Sequence, residues 1–239
     1  MSFAEAWYLG YFFEKYPDIH LVGSTPWIYA AIACAVIAYL FGSINCSVLL
    51  SKLYGTDIRN HGSGNAGATN MTRTFGKKAG ILTFVGDFLK TVLALFACRM
   101  IMGTEGVFIA GIFCILGHAY PLFFKFKGGK GVVCMAACVL FAEPFVFLTM
   151  LVIFVIILFC FKMVSLASVM CMVIYPYMLN LVPRLMFGAD FYGIHIIYAM
   201  VSALLVIFLH RKNIVRIFNH TEPKINDKNK NLDYEECEE

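Results

Sequence analysis

Apolar runs follow one another from Pro26 to Leu209, parted by short polar stretches. They fall at about 26–50, 79–102, 107–124, 132–141, 145–161, 166–181 and 191–209. None alternates with the period-two pattern of a strand, and most approach the roughly 20 residues a membrane helix needs. The run at 132–141 is the shortest; Glu143-Pro144 ends it, and Pro183 marks a second expected turn. Two of the runs carry internal polar groups: Asp87 with Lys90, three apart on one helix face, and His118 after Gly117.

Composition turns this pattern into a class. Of the 239 residues 60% are hydrophobic and 14% charged, where soluble chains carry roughly 25% charged. Mean hydropathy is +0.76. The expected fold is an all-α polytopic membrane protein, with no room for a separate soluble domain. Of the nine cysteines, all but Cys237 lie in or beside apolar runs, which fits packing residues better than a disulfide framework.

Charge selects the helix number. All of the nineteen Lys and Arg except Lys15, Lys90, Arg99 and Arg184 fall in 51–78, 125–131, 162–165 or after 209. Seven transmembrane helices put those segments on one side, which the positive-inside rule makes cytoplasmic, with the N-terminus outside and the C-terminus inside. Three regions follow: an aromatic interfacial leader at 1–25, a membrane domain at 26–220, and a charged tail at 221–239 expected to be disordered.

Chemistry concentrates in the polar loops. Residues 59–78 hold Gly62, Ser63, Gly64, Asn65, Gly67, Thr69 and Asn70, framed by Arg59, Arg73, Lys77 and Lys78. Such a segment can turn backbone N–H groups and cations towards one anion; the plainer reading is a flexible linker. Gly128-Gly129-Lys130-Gly131 brings a lysine to a helix start, although the spacing is not that of a Walker loop. Ser165 stands where a helix N-cap would, and His210, Asn213 and Arg216 follow the last apolar run. Asp87 and Lys90 read as an internal pair, and His118 and His195 as packing residues. No metal site or cofactor is legible.

Taken together, these segments resemble the acyl-phosphate:glycerol-3-phosphate acyltransferases of bacteria, the PlsY family. The match runs over about 35–222: Gly42-Ser43, Asp57 to Arg59, Gly62 to Asn70, Arg73, Gly76 to Lys78, Asp87, Lys90, Gly117-His118 and Pro121. It continues through Phe126 to Val132, Ser165 to Ser168, His210, Asn213 and Arg216. The chain departs from the family at Asn45, where Pro is usual, at Thr91, where Gly is usual, and at Val133-Cys134, where Ala-Thr is usual.

The resemblance implies transfer of a fatty acyl group from acyl phosphate to the 1-hydroxyl of glycerol 3-phosphate at the cytoplasmic face of the bacterial inner (cell) membrane. Its partners would be those two phosphates and the lipid bilayer, with no nucleic acid. Ser63, Arg73, Lys130, His210 and Asn213 would hold glycerol 3-phosphate. The Asn65–Thr69 segment with Gly128, Gly129 and Gly131 would hold acyl phosphate; Gly62, Gly64, Asn70 and Ser165 join the substrate-binding set. Other glycerol-phosphate acyltransferases use His-x4-Asp, and no histidine here has Asp five positions on. A transporter of phosphate or organic anions is the alternative, and a membrane scaffold a third reading.

Overall fold

The computed structural model describes residues 23–188 and 193–225. The leader and most of the charged tail lie outside these. Every regular element among the described residues is helical: α1 (Thr25–Ser43), α2 (Cys46–Leu53), α3 (Ala68–Phe75), α4 (Lys77–Ala119), α5 (Val132–Ala142), α6 (Pro144–Phe161), α7 (Val164–Phe187), α8 (Gly193–Leu209) and α9 (Arg211–Phe218). Short 3-10 turns lie at Ile58–Asn60 and Leu122–Phe124.

The first apolar run is broken rather than continuous. Ile44 and Asn45 take extended backbone angles, and the Asn45 side chain accepts from the Val48 N–H to start α2. Asn45 thus breaks the helix by capping a new one, as a proline would by lacking its N–H. The break strands the Gly42 and Ile44 carbonyls, and Lys90 Nζ donates to both, at 3.0 and 2.5 Å.

α4 spans two apolar runs and is a hairpin. Lys90 and His118 lie 28 residues apart, which a straight helix would separate by about 42 Å, yet Lys90 Nζ is 3.1 Å from His118 Nδ1. The reversal falls at Met102 and Gly103, where Gly103 has φ 57°. α1 packs against both arms through small residues. A Cβ on Gly42 would stand 2.6 Å from the Cys114 carbonyl oxygen, and Cys34, Cys98, Ala38 and Cys114 are fully buried. Such close approach is how membrane helices gain packing energy where lipid supplies no hydrophobic drive.

Pro144 begins α6 as expected. Pro183 does not turn the chain: α7 carries Pro176 and Pro183 inside it and runs on to Phe187. Neighbouring helices let a membrane helix tolerate proline. Ser165 is not the N-cap of α7, since Met163 occupies that position. α8 and α9 meet at 60° across His210.

Thr25–Leu53, Lys77–Phe124, Pro144–Phe161 and Val164–Phe187 are each long and apolar enough to cross a membrane. Large apolar side chains cover the outside, among them Leu148, Val152, Ile156 and Phe159 on α6. A soluble monomer rarely shows so continuous an apolar surface.

Asp87 and Lys90 form a 2.8 Å ion pair with side chains 1% and 5% exposed. His118 completes the cluster, and His195 packs in a stack on Phe108. Removing one partner of a buried pair leaves an uncompensated charge. Lys90→Met should therefore cost about 3–5 kcal/mol, and Asp87→Asn added to it should restore much of that. Thermal unfolding in detergent checks the order: the single variant should melt well below the double.

Candidate active site

One end of the bundle is shaped by the loop between α2 and α3. Asp57 and Arg59 pair at 2.6 Å, and Arg59 Nη1 donates to the Phe124 and Lys127 carbonyls at 2.7 and 3.1 Å. The Arg59 hydrogen bonds hold the Asp57 carboxyl below the usual range. Arg59 therefore ties two loops together rather than facing an anion. Asn70 does similar work: its Nδ2 donates to the carbonyls of Ile58, His61 and Asn65, and Oδ1 accepts from the Ser63 N–H at 3.0 Å. Gly62, at φ 56°, comes so close to the Asn70 amide that a Cβ would overlap it.

This scaffolding surrounds a cavity of about 310 Å³. Ser63, Asn65, Gly67, Thr69, Asn70, Arg73, Lys130, Gly131, Ser165, His210 and Asn213 all line it, from segments up to 150 residues apart. Gly62, Gly64, Gly128 and Gly129 do not. The Gly128 and Gly129 N–H groups donate to the Ala119 and His118 carbonyls, both at 3.0 Å. Those two glycines close the end of α4 and allow tight packing over His118; their N–H groups are not turned to a ligand. Of the cations framing residues 59–78, Arg73 reaches the cavity; Arg59, Lys77 and Lys78 do not.

Three helices begin at the cavity, through Ala68 and Thr69 of α3, Val132 and Val133 of α5, and Val164 and Ser165 of α7. None has a side-chain cap. A helix start carries N–H groups without intrahelical partners and the positive end of the dipole. Burial lowers the Lys130 ammonium to about 8, with Glu222 opposing that and Arg216 and Arg73 adding to it. Burial likewise takes the His210 imidazole to about 4, so it is neutral at pH 7. Its Nδ1 lies 2.8 Å from the Val206 carbonyl and donates to it, which leaves Nε2 as an acceptor.

Glu222 also lines the cavity. It falls inside the expected disordered tail, yet it is buried and accepts from Ser165 Oγ and Asn213 Nδ2, each at 2.6 Å, and from Arg216 Nε at 2.8 Å. Glu222 and Pro223 thus belong to the site. The one sequence signal was Glu222's standing as the single acid among the basic residues of 210–225. A second cavity of about 200 Å³ adjoins the first, sharing Phe84, Val132, Val133, Phe154 and Ser168, and is lined onward by Met135, Val139, Met150 and Tyr175.

Uncapped helix starts and cations around a cavity that continues into an apolar groove define a membrane protein able to hold amphiphilic phosphates. Residues 32–220 match the sequence family described as glycerol-3-phosphate acyltransferase. The chain is 42% identical to the glycerol-3-phosphate acyltransferase of Bacillus subtilis (strain 168) over 80% of its own length and 95% of that protein's. With the enzyme of Alkaliphilus metalliredigens (strain QYMF) it shares 38%, over 81% and 95%.

Two solved forms of PlsY (YgiH), an integral membrane glycerol 3-phosphate acyltransferase, share its fold. The glycerol 3-phosphate form superposes with TM-score 0.73 at 36% identity, over 81% of this chain and 94% of that one. The lysophosphatidic acid form gives 0.72 at 35% identity over the same shares. This chain belongs to the glycerol-3-phosphate acyltransferase family.

Lys130 is cationic below about pH 8 and neutral above it. If its charge holds a phosphate, kcat/KM for glycerol 3-phosphate should fall as pH rises through about 8. Lys130→Arg should remove that limb, because guanidinium stays charged. A pH–rate series on the two proteins checks this.

Proposed function

We propose that the chain transfers a fatty acyl group from acyl phosphate to the 1-hydroxyl of glycerol 3-phosphate, giving lysophosphatidic acid and phosphate, the first acylation of bacterial phospholipid synthesis. The observation that carries this is one cavity where three uncapped helix starts, Arg73 and Lys130 meet an apolar groove. Both substrates are phosphates, so the site must supply cations and N–H donors; one carries a long chain, which the groove suits. Arg73, Lys130 and Ser63 would hold the phosphate of glycerol 3-phosphate, with His210 and Asn213 beside its glycerol. The start of α3, from Asn65 to Thr69, and Gly131 with the start of α5 would hold the acyl phosphate.

In this reading α1, the two arms of α4, α5, α6, α7 and α8 are the seven crossings. The basic loops face the cytoplasm of a bacterial inner membrane and the N-terminus lies outside. The cavity sits at one end of the bundle, whereas a transporter's site belongs near the midplane, which favours the enzyme over the transport reading.

Acyl phosphate is a mixed anhydride, already activated, and alignment with charge neutralisation supplies what its transfer needs. Among the described residues no cavity serine or threonine hydroxyl is hydrogen-bonded to a histidine, which supports direct attack by the substrate hydroxyl. The 1-hydroxyl oxygen bonds to the acyl carbon, the bond from that carbon to the phosphate oxygen breaks, and the proton passes to a phosphate oxygen. A phosphate monoester, with its second pKa about 6, is a better acceptor than His210 at about 4. His118 Nδ1 receives the Lys90 ammonium, so its lone pair is engaged.

Purified protein given acyl phosphate and glycerol 3-phosphate, with a chelator and no acyl-CoA, should release phosphate and lysophosphatidate in equal amounts. No acyl adduct should appear on the protein by mass spectrometry; an acyl-Ser63 would overturn direct transfer. Arg73→Ala should raise KM for glycerol 3-phosphate at least about tenfold, the loss of a charge-assisted contact worth roughly 1.5–3 kcal/mol. An unchanged KM would remove Arg73 from the site.

A further inference from the structure

The chain does not leave the site when α9 ends. It reverses through Asn219 and His220, the latter at φ 56°, and the Thr221 N–H returns to the Arg216 carbonyl at 2.8 Å. Residues 222–225 then run back along the cavity. Arg73 Nη2 donates to the Pro223 carbonyl at 3.2 Å, and the Ile225 N–H donates to the Lys162 carbonyl at 2.8 Å. This brings the Glu222 carboxylate, 9% exposed, among Ser165, Asn213 and Arg216.

An ionised carboxylate can only accept hydrogen bonds. Asn213 must therefore turn its NH2 towards Glu222, as observed at 2.6 Å. The amide is planar, so its Oδ1 faces away from Glu222. Asn213 is 4% exposed and lines the cavity, and Oδ1 has no hydrogen-bond partner among the described residues. A buried carbonyl without a donor is costly and calls for one from a ligand. A phosphate dianion carries no hydrogen to give. The glycerol hydroxyls do.

We propose that Glu222 is a positioning residue for the acceptor substrate: its carboxylate holds the Asn213 amide so that Oδ1 receives a hydrogen bond from a hydroxyl of glycerol 3-phosphate. The inference rests on the acyltransferase reading above, and it separates two jobs within the site. Arg73 and Lys130 select a phosphate; Asn213, set by Glu222, selects a hydroxyl beside it. Glu222→Gln is nearly isosteric but adds an NH2 that can meet the Asn213 amide in either orientation, so the set of the amide is lost.

The test uses the full-length protein in detergent micelles with acyl phosphate as donor. Wild type, Glu222→Gln, Glu222→Asp and Asn213→Ala are compared for kcat and for KM of both substrates. Inhibition is measured with inorganic phosphate, with 3-hydroxypropyl phosphate, which lacks the secondary hydroxyl, and with 2-hydroxypropyl phosphate, which lacks the primary one. Glu222→Gln should raise KM for glycerol 3-phosphate by about fivefold to tenfold, the scale of one neutral hydrogen bond, with KM for acyl phosphate and inhibition by inorganic phosphate unchanged. Glu222→Asp, still an acceptor only, should recover part of the loss.

In wild type, one of the two deoxy analogues should bind more weakly than glycerol 3-phosphate, which identifies the hydroxyl; in Asn213→Ala that difference should vanish. The proposal fails if inorganic phosphate weakens in parallel with glycerol 3-phosphate, since Glu222 would then serve the phosphate donors. It also fails if Asn213→Ala keeps the discrimination, a result that does not depend on whether the Glu222 variants fold. Absence of any transfer by wild type would instead overturn the acyltransferase reading itself.

Discussion

The Asp87–Lys90 pair is the interaction on which the rest of the molecule depends. A lysine inside a membrane bundle is tolerated only with its charge met and its hydrogens engaged. Here Asp87 meets the charge, while the Gly42 and Ile44 carbonyls and His118 Nδ1 take up the hydrogens. The carbonyls are available because α1 breaks at Asn45, and His118 is within reach because α4 folds back at Gly103. His118 in turn offers its carbonyl to Gly129, next to Lys130. One buried pair thereby couples the break in α1, the hairpin of α4 and the lysine of the cavity.

At the site the same economy of polar groups runs the other way. α3, α5 and α7 begin at the cavity without side-chain caps, so their first N–H groups lack the partners that Ser, Asp or Asn supply elsewhere in the chain. Asn45 caps α2 and Ser24 caps α1, away from the cavity, while α4, α6 and α9 also begin without a side-chain cap. An uncapped start costs stability and is suited to an anion that arrives from outside. In the proposed reaction, with an activated donor, this electrostatic frame and a well-placed hydroxyl would supply the chemistry that other enzymes assign to a nucleophile and base.

The all-helical, apolar character of the chain and most of the residues lining the cavity were legible because they rest on local signals. Apolar run lengths gave the helices, and a Gly- and Asn-rich loop beside cations gave Ser63, Asn65 and Arg73. What was not legible depends on folding back. Arg59 reads as an anion ligand until Phe124 and Lys127 are brought to it, and Gly128 and Gly129 read as phosphate donors until the end of α4 takes their N–H groups. Pro183 reads as a turn because its tolerance comes from neighbours. Glu222 reads as part of a disordered tail because polar composition carries no sign of a carboxylate drawn under Ser165, Asn213 and Arg216.

The central claim is that one cavity holds both phosphates together and passes the acyl group directly between them. Two-substrate initial-rate kinetics tests it most directly, varying glycerol 3-phosphate at several fixed concentrations of acyl phosphate. Direct transfer within a ternary complex predicts double-reciprocal lines that intersect. Parallel lines, with phosphate released from acyl phosphate before glycerol 3-phosphate is added, would mean an acyl-enzyme and would contradict it.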